Sequence, residues 1–252
     1  MNSANPFIVI AGPSGIGKSP LLKGLNQLFP DLGKQLQPLV LYNDRAKRPG
    51  EKESVAYFFR NRNEIEALRE KPGHLVVENR GDLQGLEISQ IETIQNQGNW
   101  PIYEGNVFMV DAMRKAGLFE QQKTITLFLS PVSLSELQRL IKRHGLTVVK
   151  DVVEGIQRRK LTLRSRNQQS LHLPDYADVA RRAAKAWEEL NHAPNFDYVI
   201  PLYDGESHDH WELFGTPLGS ARMAIEAFAE CIQGSNQHPI MEKWPCTVFE
   251  SA

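Results

Sequence analysis

The stretch Gly12-Pro13-Ser14-Gly15-Ile16-Gly17-Lys18-Ser19 constrains this chain more than any other. Its two outer glycines, five residues apart and followed by Lys and Ser, have the spacing of a phosphate-cradling loop. Ahead of it runs the apolar, β-prone Phe7-Ile8-Val9-Ile10-Ala11, and behind it Leu21, Leu22, Leu25 and Leu28 recur at helical spacing. The chemistry needs these residue types. Glycines let the backbone curl so that successive N–H groups point at one anion, beside the positive end of a helix. Lys18 can reach the β- and γ-phosphates, and the Ser19 hydroxyl can ligate Mg²⁺. Pro20 is tolerated because a first-turn residue needs no intrahelical N–H partner. Strand, loop and helix in this order make residues 12–19 a nucleotide-phosphate site.

Composition narrows the setting. A chain of 252 residues, 41% hydrophobic and 23% charged, suits one soluble α/β domain with embellishments. The formal net charge of −1 supplies no basic field, so neither nucleic acid nor an anionic membrane is expected as a partner. Cys231 and Cys246 are too few for a disulfide framework and are not spaced as a zinc set. No apolar run approaches the roughly 20 residues that span a bilayer, and Met1 to Pro6 lacks the layout of a signal peptide. A cytoplasmic protein is the expectation.

Along the chain, Leu36 to Tyr42 reads as a strand, followed by a charged loop and an aromatic strand at Val55 to Phe59. Asn63 with Glu66 predicts a helix N-cap. His74 to Glu78 is strand-like, Ser89 to Asn96 helical, and Pro101 to Asn106 a buried strand with polar groups at its end. Val107 to Ala116 reads as helix, Thr124 to Leu129 as a core strand, and Ser133 to Arg143 as a helix capped by Ser133 and Glu136. Gly145 to Ala180 is long, basic and less periodic, clustering Arg158, Arg159, Lys160, Arg164 and Arg166. Arg181 to Leu190 then reads as helix, Phe196 to Leu202 as the last strand, and Thr216 to Ile232 as a terminal helix. From Ser235 the chain is tail-like. His208-Asp209-His210, without further ligands, reads as a polar loop. Strands alternating with helices predict a mainly parallel sheet with helices on both faces and ligands at the carboxyl ends of its strands.

From its second loop onward the chain resembles the guanylate kinase family of P-loop nucleoside monophosphate kinases, over about Phe7 to Leu202. The family's Thr-Thr-Arg-x-x-Arg-x-Gly-Glu segment and following Tyr-x-Phe correspond to Asn43 through Glu51 and to Tyr57, Phe58 and Phe59. The resemblance implies that Arg45, Arg48 and Tyr57 hold the acceptor phosphate, as two guanidinium groups and a phenol suit a dianion. Arg139-Leu140-Ile141-Lys142-Arg143 resembles the family's Arg-Leu-x-x-x-Arg helix over the donor, with its second arginine one residue earlier. Arg182, with Glu189 seven residues on and Phe196-Asp197-Tyr198 beyond, matches a later arginine. The resemblance makes Arg139, Arg143 and Arg182 catalytic arginines beside Lys18 and Arg45, with ATP and Mg²⁺ as cofactors.

Departures fall where the family reads guanine. Its Gly-Asn-x-Tyr-Gly-Thr run appears as Gly81-Asp82-Leu83-Gln84-Gly85-Leu86, so the usual Tyr is Gln84 and the usual Thr is Leu86. Counting back, the guanine-reading Glu position is Leu75, with Glu78 three residues late, and a usual Ser is Leu41. The Asp after the next strand appears as Glu104. Glu78 and Glu104 are therefore candidate acceptor-binding carboxylates. The resemblance implies a kinase domain over residues 1–233, with an acceptor-binding segment at about 36–98, an enlarged lid at about 145–180, and a tail at 234–252. The expected activity is phosphoryl transfer from Mg·ATP to a nucleoside monophosphate, GMP foremost, by a monomer or homodimer. Two alternatives are a kinase of another phosphorylated acceptor, such as ribose 1,5-bisphosphate, and a non-catalytic binding module. Retention of Lys18, Ser19, Arg139 and Arg143 argues against the module.

Overall fold

Strand β1 (Phe7–Ala11) is fully buried and delivers the chain to the glycine-rich loop, after which α1 (Lys18–Leu28) begins. This is a computed structural model describing residues 5–47, 51–55, 57–167, 173–235 and 237–249. The chain continues through α2 (Pro30–Gly33), β2 (Leu36–Pro38), β3 (Leu41–Asn43), β4 (Tyr57–Phe59) and α3 (Arg62–Glu66). Next come β5 (His74–Asn79), β6 (Asp82–Glu87), α4 (Ser89–Asn96), β7 (Trp100–Gly105), α5 (Val107–Lys115) and β8 (Thr124–Ser130). The last part comprises α6 (Leu134–Asn167), α7 (Leu173–Ala184), α8 (Ala186–Leu190), β9 (Tyr198–Pro201) and α9 (Gly219–Ile232). A five-stranded sheet has the order β2-β7-β1-β8-β9, with β2–β7 and β8–β9 parallel. This is the expected α/β architecture, a parallel central sheet flanked by helices. Among the described residues no helix is long and apolar enough to cross a membrane.

Two compact units divide the chain, residues 1–9 with 35–125, and residues 10–34 with 126–252. The first carries the second sheet, of order β4-β3-β6-β5. The single strand expected over Leu36 to Tyr42 is in fact two, β2 pairing with β7 and β3 with β4 and β6. Pro38 stands on edge strand β2, where its missing N–H interrupts no bond, and the Leu39 N–H still donates to Ile102 O at 2.9 Å before the first pairing ends. The Gln90 side-chain amide then takes up both backbone groups of Val40, at 3.0 Å each. The hairpin β5–β6 turns at Arg80-Gly81, both at positive φ (60° and 92°), a mirror-type turn that matches strand twist. Ile65, Leu68 and Leu83 form its core, with Tyr42 and Val76 against them. The helix cap falls two residues before the expected Asn63–Glu66 pair. Asn61 and Glu64 make both bonds of a capping box, 3.0 and 2.8 Å, because the same Asn-x-x-Glu spacing occurs twice and the earlier copy opens α3.

In the second unit Ser133 and Glu136 cap α6 as expected, at 2.9 and 3.2 Å. The basic stretch is not irregular. It continues α6 past a bend at Gly145 (φ 75°) and returns as α7, with Leu161, Val179 and Ala183 packed between the two. The helix expected over Arg181 to Leu190 is broken at Lys185 into α7 and α8. The segment beyond Ser235 also departs from its tail-like composition. Val199 and Glu242 exchange two backbone hydrogen bonds of 2.8 Å on edge strand β9. Trp244, 1% exposed, donates its indole N–H to Glu242 at 2.8 Å. Covering an edge in this way satisfies groups that would otherwise invite pairing with another chain. Trp244→Ala should therefore cost about 3 kcal/mol, read as a lower urea midpoint with unchanged slope; an unchanged midpoint would mean the segment contributes nothing to stability.

Candidate functional site

The donor-side groups all lie in the second unit. The loop of residues 12–19 is buried up to Gly17, Lys18 is half-buried, and Ser19 is exposed in the first turn of α1. The Lys18 ammonium donates to the carbonyls of Gly12 (2.8 Å) and Pro13 (3.1 Å), folding back over the loop it follows. The next two carbonyls turn outward. Ser14 O accepts from the Gln157 amide, and Gly15 O accepts from the Glu206 N–H at 3.0 Å. The Ile16 N–H, in the same peptide plane as the Gly15 carbonyl, donates back to Pro13 O at 3.2 Å and closes a turn within the loop. Leu161 packs over Gly15, where a Cβ would come within 2.8 Å of it.

The three arginines of the donor side have separate fates. Arg182 reaches the loop, donating to the Ser14 hydroxyl at 3.2 Å while its Nε pairs with Asp178 at 2.6 Å. Burial disfavours the Asp178 carboxylate, but Arg181 and Arg182 outweigh it and lower its pKa. Arg139 is exposed and donates to Ser135 O of its own helix at 3.1 Å. It borders a cavity of about 340 Å³ with Val132, Ile156 and Tyr203. Arg143 is exposed just before the bend at Gly145.

Sequence reasoning missed what the insertion does. Val149, Val153, Gln157 and Leu161 recur every fourth residue and are all buried, a helical face hidden among basic residues. Lys160 shares that burial, 6% exposed, and donates to Leu202 O at 2.7 Å. Burial pushes its pKa down to about 7, against a smaller opposing pull from Asp204. Within the charge cluster two arginines are ion-paired, Arg158 with Glu154 at 2.6 Å and Arg164 with Glu206 at 3.1 Å.

The acceptor-side candidates lie in the first unit. Arg45 is 12% exposed and grips Glu51 through both guanidinium ends, at 2.8 and 2.5 Å. Its plane lies 5.0 Å from the Tyr57 ring centroid and 5.5 Å from that of Phe59. Burial works against its charge, but Glu51 outweighs that and raises its pKa. Arg48 lies outside the described residues. Gln84, in place of the family's Tyr, is buried and accepts from Asn106 at 2.7 Å, while Asn106 caps α5 through Met109 N at 3.0 Å. Beside them Tyr103 is fully buried, donates to Asn106 O at 3.0 Å, and has its pKa pushed far up by that burial. Glu104 ends β7 half-buried.

Glu78 does not join this group. In the hairpin register it opposes Leu83, and Leu75 opposes Leu86. Strand alternation thus puts Glu78 on the opposite face from Leu75 and Gln84. There it pairs with Arg62 at 2.9 Å, which also holds Asp44 at 3.0 Å. A shift of three residues along a strand reverses the face, so Glu78 cannot replace the lost glutamate at Leu75.

A guanylate kinase family model matches residues 4–170. The guanylate kinase of Synechococcus sp. (strain JA-3-3Ab) is 32% identical over 197 residues, covering 77% of this chain and 74% of that protein. That of Trichormus variabilis is 29% identical over 206 residues, covering 81% and 86%. Among solved structures, guanylate kinase from Anaplasma phagocytophilum aligns with a TM-score of 0.52 at 20% identity, over 91% of this chain and 87% of that one. The last is a likeness of fold.

The depressed Lys160 pKa makes stability depend on pH. The unfolded lysine keeps its proton up to about pH 10.5, whereas the folded one loses it near 7. Between these values the unfolded state binds more protons, so stability rises with pH. From pH 7 to 9 the native chain should gain about 2 kcal/mol relative to Lys160→Met, measured by urea unfolding of both; parallel pH profiles would contradict the buried, neutral amine.

Proposed function

Because the chain belongs to the guanylate kinase family, we propose that this nucleotide kinase passes the terminal phosphoryl group of ATP to a nucleoside monophosphate, GMP foremost. The observation that carries the reading is the tethered loop of residues 12–19, with Lys18 folded over it and Arg182 bonded to Ser14. Phosphoryl transfer asks little covalent chemistry of a protein; positioning and charge neutralisation set the rate. The Gly12 and Pro13 carbonyls that Lys18 bonds are neutral, and a phosphate oxyanion outcompetes them because charge-assisted bonds are roughly twice as strong. Arg182, steered by Asp178, supplies positive charge where it builds up during transfer. The exposed Ser19 hydroxyl is a hard oxygen suited to Mg²⁺, which when bound neutralises phosphate charge. Arg139 and Arg143 are assigned to the donor nucleotide by their motif.

On the acceptor side, Arg45 is held in the fork geometry that a phosphate would occupy, with Glu51 as the present occupant. Acceptor binding exchanges that carboxylate for the phosphate or shares the guanidinium between them, while Tyr57 and Phe59 keep its plane fixed. Arg48 and the Tyr57 hydroxyl complete the proposed phosphate grip. Glu104 is the proposed base reader: a carboxylate accepts from the ring and exocyclic N–H groups of guanine, which adenine does not offer in that pattern. Glu78 is left out because of its pairing with Arg62.

Two measurements test this. Lys18→Ala should lower kcat at least about 100-fold with the circular dichroism spectrum unchanged; near-native turnover would overturn the donor assignment. An ADP-release assay across GMP, AMP, CMP, UMP and ribose 1,5-bisphosphate should give the highest kcat/KM with GMP. A higher value for the sugar phosphate would overturn the acceptor assignment alone.

A further inference from the structure

His208 and His210 acquire a third partner that lies outside their local sequence. The chain leaving β9 brings in Asp204, whose side chain is 8% exposed. Its Oδ2 lies 3.0 Å from His210 Nδ1 and accepts from the Ser220 hydroxyl, and its Oδ1 lies 3.5 Å from His208 Nδ1. The two imidazoles stand 4.3 Å apart between centroids. One ligand atom from each residue falls within 4.8 Å of the others.

The proton positions are the informative part. His208 Nδ1 accepts the backbone N–H of His210 at 3.1 Å, so in the neutral ring this nitrogen carries no proton. Asp204 Oδ1 is acceptor-only when ionised. His208 Nδ1 and Asp204 Oδ1 lie 3.5 Å apart, and a cation bound between them takes over the lone pair now given to the His210 N–H. Tetrahedral zinc, with ligand bonds of about 2.0–2.2 Å, sets its donors about 3.3 Å apart. The separations of 3.0 and 3.5 Å, taken from the two oxygens of the Asp204 carboxylate, lie near that spacing.

We propose that Asp204, His208 and His210 form a three-ligand site for a divalent transition metal, zinc above all. Two imidazoles and one carboxylate favour such ions over Mg²⁺, which takes oxygen ligands. The Ser220 hydroxyl orients the carboxylate in the way outer partners of metal ligands do. His208 borders a cavity of about 750 Å³ with Ser19, Lys23 and Trp211.

The site also has a consequence for the loop of residues 12–19. Between its ligands lie Gly205, which accepts from the Trp211 indole at 2.9 Å, and Glu206, whose N–H holds Gly15 O at 3.0 Å. A metal fastening Asp204 to His208 and His210 pins both ends of the segment that carries this tether. Metal binding therefore stiffens one of the two braces of the phosphate cradle.

Zinc titration of the chelator-treated full chain, without nucleotide, tests the proposal independently of any activity. Calorimetry should show one zinc bound per chain, and Co²⁺ should give the visible absorption of a four-coordinate ion. His208→Ala/His210→Ala, at two half-exposed positions whose loss spares the core, should weaken binding at least about 100-fold with an unchanged circular dichroism spectrum. Ser19→Ala should bind zinc as the native chain does. Absence of binding below about 100 µM zinc, equal affinity in the double variant, or loss of binding in Ser19→Ala would each overturn the assignment.

Discussion

Two backbone carbonyls, those of Ser14 and Gly15, hold the rest of the donor side in order. A phosphate cradle works through its backbone N–H groups, and fixing these two successive carbonyls fixes the peptide planes that carry them. Here the fixing groups come from distant parts of the chain, Gln157 on α6 and Glu206 beyond β9. The long helical insertion is thereby tied to the chemistry by a buried amide at one end of its apolar face, with Leu161 beside it. Among its basic residues, which suggest an arginine-rich lid, Arg158 and Arg164 are balanced by Glu154 and Glu206.

The acceptor side is governed by a different principle. Its groups are satisfied by one another: Arg45 by Glu51, Gln84 by Asn106, Tyr103 by the Asn106 carbonyl. Buried polar groups left unpaired are costly, so replacing a base-reading tyrosine by glutamine requires a new partner, and Asn106 provides it. That substitution spends a donor and an acceptor on the protein itself. Under the proposed function, specificity for a base rests on fewer groups, with Glu104, near the end of β7, as the proposed reader.

Legibility in the sequence followed the range of the interaction. The cradle was readable because glycine spacing, flanking strand and flanking helix are local, and so was the Ser133–Glu136 cap. The single strand over Leu36 to Tyr42 was misread because nothing local says that Pro38 separates partners in two different sheets. Asn61 and Asn63 offer identical capping patterns, and only tertiary packing chooses. Glu78 looked three residues from its place in a linear count, while the pleat makes three residues a change of face. Gln157, Lys160 and Asp204 were invisible for a related reason: a buried polar residue in a charged stretch looks like surface until its partner, far away in sequence, is known. The fourfold recurrence of Val149, Val153 and Leu161 was the one signal that could have exposed them.

The central claim is that the cradle is already set before nucleotide arrives, with Lys18 parked on it. A crystal structure with a non-hydrolysable ATP analogue tests this most directly. The account predicts that the Lys18 ammonium leaves the Gly12 and Pro13 carbonyls for phosphate oxygens while Gln157 and Glu206 keep their bonds to Ser14 and Gly15. Phosphates bound with those two tethers broken, or with Lys18 still on its carbonyls, would contradict it.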